Sequence, residues 1–537
     1  MHRTPRRAVF ALGGAVCALA AALLPHFDPP VRAADADKIE KALDAWRNAR
    51  SGALRDRIEA AHKLAVTRHP LALRELLAEY GRDARNQDKV REFLARDLAA
   101  EFGGTEFVPA LRAAMTERLR SPDDAWLVRE VVGAWAQAGR TDAAIDFYLR
   151  AEGLPFHQAA ALRAMSGAPE PRAFALANEV IAMLPEAEPQ RTLLYTAAAR
   201  VIEANVPQDD VVAARAAVLP ILEHLDEKQT TRRTATVIGR TLSRILRSDA
   251  VYADATSWRQ FLDDADAAAK MARDGYAVPA RSYFAGVLLT GRDIVYVIDC
   301  SGSMKAPFTW RPTEPPTTPG PDAPKGPVTG KGRADAEKRR REAEARREQD
   351  IFKSLKALPW DKIRTRLDAV REALKASLRA LQDDQRFAVV VFSDGARYMS
   401  SATHLVPATR SHVEDVCADV DRLEADGATN VHRALELGFG ASRTRIEDPA
   451  TGTGLDQILQ GADTLVLLTD GSPTTDSYDG SQFSSLYTAT GNLLNAAERW
   501  NLFPDGEIDC VGIADAPTDL LDALARRGNG RSNYLGR

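Results

Sequence analysis

The sequence predicts an α-helical solenoid followed by a doubly wound α/β domain with a mainly parallel sheet. Residues 35–270 are rich in Ala, Leu, Arg and Glu, with helical periodicity and no persuasive strand. Beyond Gly291, short apolar runs rich in β-branched residues alternate with amphipathic helical stretches. That order implies a parallel sheet covered by helices on both faces, with right-handed crossovers. The length of 537 residues predicts two or more domains with ample core for each.

Residues 1–33 read as a secretory signal. Arg3, Arg6 and Arg7 precede a mostly apolar run from Ala8 to Leu24, and Val31-Arg-Ala33 offers a small-residue cleavage site after Ala33. The protein is therefore expected to be exported, to the periplasm, cell envelope or exterior. Uncleaved, the run could stay as a membrane anchor, although it is short and contains a Gly pair. Arg6-Arg7 lacks the downstream consensus of twin-arginine export, and Cys17 lies inside the apolar run without a lipobox. A net charge of -4 is small for this length, so nothing global points to nucleic acid. Signal removal leaves Cys300, Cys417 and Cys510, an odd set that reads as structural thiols. Without a C-x-x-C or a His/Cys cluster, zinc is not expected.

In the helical half, Ile39, Leu43 and Trp46 share one helical face, and Phe93, Leu94 and Leu98 share another. Breaks recur at Ser51-Gly52, His69-Pro70, Gly103-Gly104, Ser121-Pro122, Gly139-Arg140 and Gly167-Ala-Pro169. Ser121 and Thr141 are expected N-caps, with Asp123, Asp124 and Asp142 favouring the first turns. Helix pairs starting near Asp37, Pro70, Thr105 and Thr141 repeat at the period of helical solenoids, and the region resembles HEAT or tetratricopeptide repeats. Trp46, Trp126 and Trp135 read as core residues rather than a binding stripe. The solenoid would offer a concave surface that binds a protein or presents the second domain; the alternative is a rigid spacer.

Asp274-Gly275 and Pro279 place the boundary at 270–285, and Ser282 to Leu289 reads as one extra strand before Gly291. Ile294 to Ile298 is then a strand buried on both faces. Residues 306–358 form an insertion: Ala306 to Gly330 is a Pro-, Gly- and Thr-rich tether, and Arg333 to Leu358 is a mixed-charge stretch suited to a solvated helix. It must emerge on the face where the loop after Ser303 lies, as a lid, a docking arm or a surface insertion. Lys362 to Leu381 follows as a helix with Ile363, Leu367, Val370 and Leu374 on one face. Phe387 to Phe392 is a strand ending in Ser393-Asp-Gly395, and Arg397 to Val406 an antiparallel edge strand. Helices at Ser411 to Leu423 and Val431 to Phe439, a strand from Thr464, and a helix from Ser484 to Trp500 come next. A strand from Ile508 to Ile513, a helix from Asp519 to Arg527 and a short strand near Tyr534 complete the set.

The chemistry gathers after the first central strand. Asp299, Ser301 and Ser303 put a carboxylate and two hydroxyls at alternate positions, in a turn where Gly302 permits tight geometry. These are hard oxygen ligands of the kind magnesium prefers, although an Asx or Ser turn closing a strand would use the same residues. Thr429 lies in Asp426-Gly-Ala-Thr-Asn-Val431, and Asp470 in Thr469-Asp-Gly-Ser472 after an apolar strand. With these three separated loops, residues 285–537 resemble a von Willebrand factor type A domain, Rossmann-like in fold, and the loops resemble its metal-ion-dependent adhesion site.

That resemblance implies hydroxyl ligands from Ser301, Ser303 and Thr429 and carboxylates from Asp299 and Asp470, direct or through water. The cation would be Mg2+, with Mn2+ or Ca2+ as alternatives. In doubly wound sheets ligands bind beyond the carboxyl ends of the strands, which independently gathers Asp299, Ser301, Ser303 and Asp470. Thr429 joins them through the resemblance alone, since a helix N-cap before Val431 suits it equally well. Asp394 reads as a turn-closing residue on the same edge, and His432 as a helix-surface residue.

The expected function is metal-dependent protein binding, as adhesion or scaffold, in which the cation captures an Asp or Glu of a partner. No nucleic acid is expected, and a membrane only if the N-terminal segment stays uncleaved. A divalent-metal hydrolase is the rival reading, but H-E-x-x-H, G-x-S-x-G and G-x-x-x-x-G-K-[ST] are all absent. No catalytic residue is assigned. The third reading is a scaffold in which the helical domain does the binding.

Overall fold

The computed structural model describes residues 33–81, 88–104, 106–118, 121–207, 210–225, 230–248, 251–263, 282–312, 349–443, 454–474 and 486–536. Residues 1–32, which hold nearly all of the expected signal, the junction at 264–281 and most of the insertion, 313–348, lie outside these.

The chain divides into two compact units, Met1–Ala177 and Asn178–Arg537. The first contains α1 (Ala33–Ala49), α2 (Leu54–Ala65), α3 (Pro70–Tyr80), α4 (Asp88–Phe102), α5 (Val108–Arg118), α6 (Ala125–Gln137), α7 (Thr141–Arg150) and α8 (Pro155–Met165), and α9 (Pro171–Ala182) crosses its end. Alternate helices stack, α2 on α4, α4 on α6 and α6 on α8, as helical pairs do in a solenoid. Trp46 and Trp135 are wholly buried and Trp126 nearly so. Ser121 caps a short 3-10 turn, Pro122–Asp124, in a reciprocal box with Asp124. Thr141 does not cap: Arg140 holds that position, and Thr141 is the first residue inside α7 with its side chain buried.

The second unit joins helices α10 (Gln190–Asn205), α11 (Val211–Glu223), α12 (Arg232–Leu246) and α13 (Ala255–Asp263) to the sheet. The change in secondary-structure class, near 264–281, and the change in packing unit therefore fall at different places. Arginines make the join. Arg233 on α12 is 1% exposed, and its guanidinium donates to Ile458 O at 3.1 Å, to Ala462 O at 3.1 Å and to Pro504 O. Arg240 lies two helical turns later on the same face and donates to Asp463 O and Thr464 Oγ1, each at 2.6 Å. Arg200 on α10 grips Asp505 with two hydrogen bonds, at 3.0 and 2.8 Å.

The sheet is built of β3 (Asp293–Asp299), β4 (Arg386–Phe392), β5 (Ala396–Tyr398), β6 (Val406–Pro407), β7 (Thr464–Thr469), β8 (Glu507–Ile513) and β9 (Asn529–Leu535). Its order is β5-β4-β3-β7-β8-β9, with β6 also on β4. The pairs β3–β4, β3–β7, β7–β8 and β8–β9 are parallel, while β5 and β6 run antiparallel to β4. Ile294, Tyr296 and Ile298 face one core, with α14 (Arg366–Arg379) and α15 (Arg410–Asp421). Val295 and Val297 face the other, with α16 (Val431–Gly440), α18 (Leu486–Trp500) and α19 (Thr518–Arg527). The period of two along β3 thus divides its side chains between two cores.

Some elements differ from the sequence reading. Ser282 to Leu289 is not one strand but a hairpin, β1 (Ser282–Phe284) and β2 (Val287–Leu289), because Ala285 and Gly286 both take positive φ in a two-residue loop. The edge expected from Arg397 to Val406 is split into β5 and β6. Helix α14 starts at Arg366 rather than Lys362, since Thr365 and Asp368 cap it reciprocally. The six-residue helix α17 (Leu455–Gln460) was not anticipated. Residues 349–356, at the end of the insertion, are helical.

Replacing Arg233 with Ala would strip buried carbonyls of Ile458, Ala462 and Pro504 of their donor. We expect the full-length chain to lose about 3 kcal/mol of stability, read as a lower urea midpoint by tryptophan fluorescence. An unchanged midpoint would contradict this account of the join.

Candidate metal centre

Strand β3 lies between β4 and β7, at the point where strand order reverses, so the loops after β3 and β7 open on a common crevice. Asp299, the last residue of β3, is 0% exposed. Its Oδ1 accepts from the Ser301 N–H at 2.7 Å, and its Oδ2 from Thr469 Oγ1, at the end of β7, at 2.5 Å. Ser301 Oγ and Ser303 Oγ are 3.1 Å apart, and Ser303 Oγ donates to Asp470 Oδ1 at 2.6 Å. The two strand-end loops are thus linked side chain to side chain.

Backbone bonds bring in the third loop. Cys300 N donates to Phe392 O, Gly302 N to Gly427 O and Asp426 N to Cys300 O, at 2.8 to 2.9 Å. Thr429 is buried, and it exchanges hydrogen bonds with Thr474, receiving one at its carbonyl from Thr474 N and donating its own N–H to Thr474 Oγ1. A Cβ added at Gly471 would stand 3.8 Å from Thr429 Oγ1 and 3.9 Å from Ser303 Oγ, so both hydroxyls flank that glycine. The cap of α16 is Asn430, whose side chain accepts from Arg433 N. Thr429 is therefore not the cap that the local sequence allowed.

Asp394 does more than close its turn. Its Oδ1 accepts from Ala428 N at 2.7 Å and its carbonyl from Asn430 Nδ2 at 3.0 Å, bracing the Thr429 loop. Gly427 takes a φ of +78°, and a Cβ there would lie 2.4 Å from the Asp394 carboxylate. His432, expected on the helix surface, is 7% exposed and packs edge-on against Trp500 at 4.9 Å. The reason is that its face of α16 turns toward α18.

Sequence reasoning passed over two residues here. Thr469 was visible as the strand end but was not given its role as donor to Asp299. Arg366, at the start of α14, donates from Nη1 to Asp470 Oδ2 and from Nη2 to Asp515 Oδ2, both at 2.9 Å. No local pattern signals a pair 104 residues apart. The three described cysteines, Cys300, Cys417 and Cys510, are free and buried, and burial pushes the Cys300 thiol up to about 12.

The donor set suits a hard divalent cation: three hydroxyls and two carboxylates, with Asp299 held by neutral donors. Burial, with the Asp470 charge adding, pushes the Asp299 carboxyl up to about 6, against the hydrogen bonds from Ser301 and Thr469. That is a buried acid short of positive charge. Among the described residues no three His, Cys, Asp or Glu side chains cluster as a metal site, so hydroxyls would have to complete any shell.

Residues 361–534 match the family model described as von Willebrand factor type A domain. Among solved structures, the chain is similar to a von Willebrand factor type A protein from Catenulispora acidiphila, at 20% identity over 47% of this chain and 40% of that one, with a TM-score of 0.26. It is also similar to the PilB minor pilin from Streptococcus sanguinis, at 14% identity over 46% of this chain and 58% of that one, with a TM-score of 0.26. The chain spans less than two thirds of the length of either. No curated protein matches the chain.

Because the folded state holds a proton on Asp299 up to about pH 6 and the unfolded chain only to about 4, ionising Asp299 costs stability as pH rises between those values. Without divalent cations, Asp299→Asn should therefore be more stable than the parent at pH 7.5, by about 1–3 kcal/mol. The gap should narrow towards pH 5, where the folded carboxyl is protonated, and close only below about pH 4, where the unfolded one is protonated too. Parallel thermal melts at the two pH values measure it; a variant less stable at pH 7.5 would refute the reading of Asp299 as an uncompensated acid.

Proposed function

The chain carries a von Willebrand factor type A domain in its C-terminal half, and from that premise we propose that it is an exported, non-enzymatic binding protein that captures an acidic residue of a protein partner through a divalent cation. Asp299, Ser301, Ser303, Thr429 and Asp470 would hold the cation, Mg2+ first among the candidates. Bound there, the cation would supply an electrophilic pole for a carboxylate, since neutral hydroxyls fill much of its shell. The residues of this chain do the rest. Thr469 orients Asp299, Ser303 links the β3 loop to Asp470, and Asp394 fixes the loop that carries Thr429.

The observation that carries the reading is the wholly buried Asp299, held by neutral donors beside three hydroxyl-bearing residues. Binding is favoured over hydrolysis because His432, the histidine nearest in sequence to Thr429, is packed against Trp500. Export rests on the N-terminal sequence. Among the described residues no helix is long and apolar enough to cross a membrane.

One observation supports the scaffold reading as a second choice. A groove of about 650 Å³ in the first unit is lined by His62, Arg96, Arg129 and Arg163, which recur one repeat apart on α2, α4, α6 and α8.

A single experiment separates the two readings: calorimetric titration of MgCl2, then of a poly-glutamate peptide, into the full-length chain. Saturable Mg2+ binding that is lost in Asp299→Ala, with peptide binding that requires Mg2+, is the expected result. Peptide binding that survives Asp299→Ala but is lost in the double variant Arg96→Glu, Arg163→Glu would transfer the function to the groove.

A further inference from the structure

Arg366 is placed where neither helix stability nor core packing calls for it. It is the first residue of α14, where the helix dipole opposes a positive charge. Its backbone is fixed by the root of the insertion: Arg366 N donates to Ala306 O at 3.0 Å, Phe308 N donates to Arg364 O at 2.8 Å, and Pro307 pairs with Thr365. Trp310 packs edge-on against Trp360, and Arg311 lies over the Trp360 ring, stiffening the same root. From this anchor the guanidinium reaches two carboxylates of different character. Asp470 has a wholly buried side chain, while that of Asp515 is 88% exposed. Arg366 Nε is buried and has no hydrogen-bond partner, so the fork is committed to its two Nη contacts.

The consequences follow from charge. With Ser303 on Oδ1 and Arg366 on Oδ2, both oxygens of Asp470 are engaged, and the guanidinium offsets one of the two carboxylates of the centre. A cation arriving alone meets a site of single net negative charge. The exposed pair with Asp515 is weak, because solvent screens it and the aspartate must be held in place. A carboxylate from outside can take its place on the planar fork, which matches that geometry.

We propose that Arg366 is the specificity-determining residue of the metal centre. It neutralises Asp470, so that a divalent ion alone is held weakly, and it offers an incoming carboxylate the guanidinium edge now paired with Asp515. Cation and acidic ligand are thereby captured together. The proposal rests on the cation reading given above and adds a residue that lies outside its five ligands.

The test is Mn2+ titration of the full-length chain, followed by water-proton relaxation, with and without glutarate as the carboxylate probe. The parent, Asp299→Ala, Arg366→Gln and Arg366→Lys are compared. Removing the positive charge in Arg366→Gln should tighten Mn2+ binding about tenfold and cut the strengthening of Mn2+ binding by glutarate to the part that the cation alone supplies. Arg366→Lys keeps the charge and should leave Mn2+ affinity near that of the parent, while reducing the glutarate effect. A merely structural arginine would give weaker binding in both variants, and tighter binding cannot arise from misfolding. If the parent binds Mn2+ through Asp299 and Arg366→Gln binds equally or less well, the role of Arg366 falls alone. If neither binds in a manner that depends on Asp299, the cation reading falls and this proposal with it. Binding that appears only in Arg366→Gln would be its strongest support.

Discussion

Everything in the second unit depends on a strand that has no exposed side. From Asp293 to Asp299, β3 is buried at every position, paired to β4 on one flank and β7 on the other, with its side chains divided between two cores. Burying each large apolar side chain of such a strand contributes roughly 1.5–3 kcal/mol relative to leaving it exposed. The polar residues that follow must then satisfy their hydrogen bonds at the strand end, where water is largely excluded. Asp299 does so through Ser301 and Thr469. The apolar run and the buried acid are two consequences of the same placement.

The opposite edge of the sheet holds charge in a different way. Arg233 lies among carbonyl oxygens, and burial pushes it down to about 10 despite the attraction of Asp463 and Asp505. Burial also works against Arg200 and Arg240, but Asp505 and Glu203 around the one, and Glu507 and Asp463 around the other, outweigh it and raise both. A charge taken out of water is tolerated only when its partners are complete. Helices α10 and α12 are therefore part of the sheet's polar framework. A fragment starting after them would leave Asp463, Asp505 and several backbone carbonyls without the donors they have here. The sheet thus gathers buried arginines where its parallel strands begin and, where they end, a buried acid held only by neutral donors.

Arg366 modifies that contrast at the crevice. It meets Asp470 but not Asp299, so the two carboxylates are inequivalent before any ligand arrives. The insertion is relevant because its root and the start of α14 share backbone hydrogen bonds. The chain leaves and returns beside the centre, as its position after Ser303 implied. The charged stretch from Arg333 lies mostly outside the described residues.

The sequence alone determined most of the elements and the loops that carry the chemistry. Runs such as Ile294 to Ile298 state their own burial, the alternation of strands and helices implies a parallel sheet, and a carboxylate two and four residues before hydroxyls is a local pattern. Even Asp470 follows from standing at a strand end. Contacts that join distant segments were decided only by tertiary structure: Thr469 on Asp299, Asn430 rather than Thr429 as cap, His432 turned onto Trp500, Arg233 on three carbonyls and Arg366 on Asp470. The physical reason is that strand and helix signals arise from neighbours a few residues apart. A buried polar side chain instead takes whatever partner the packing of remote elements brings within about 3 Å, and no periodicity records that choice.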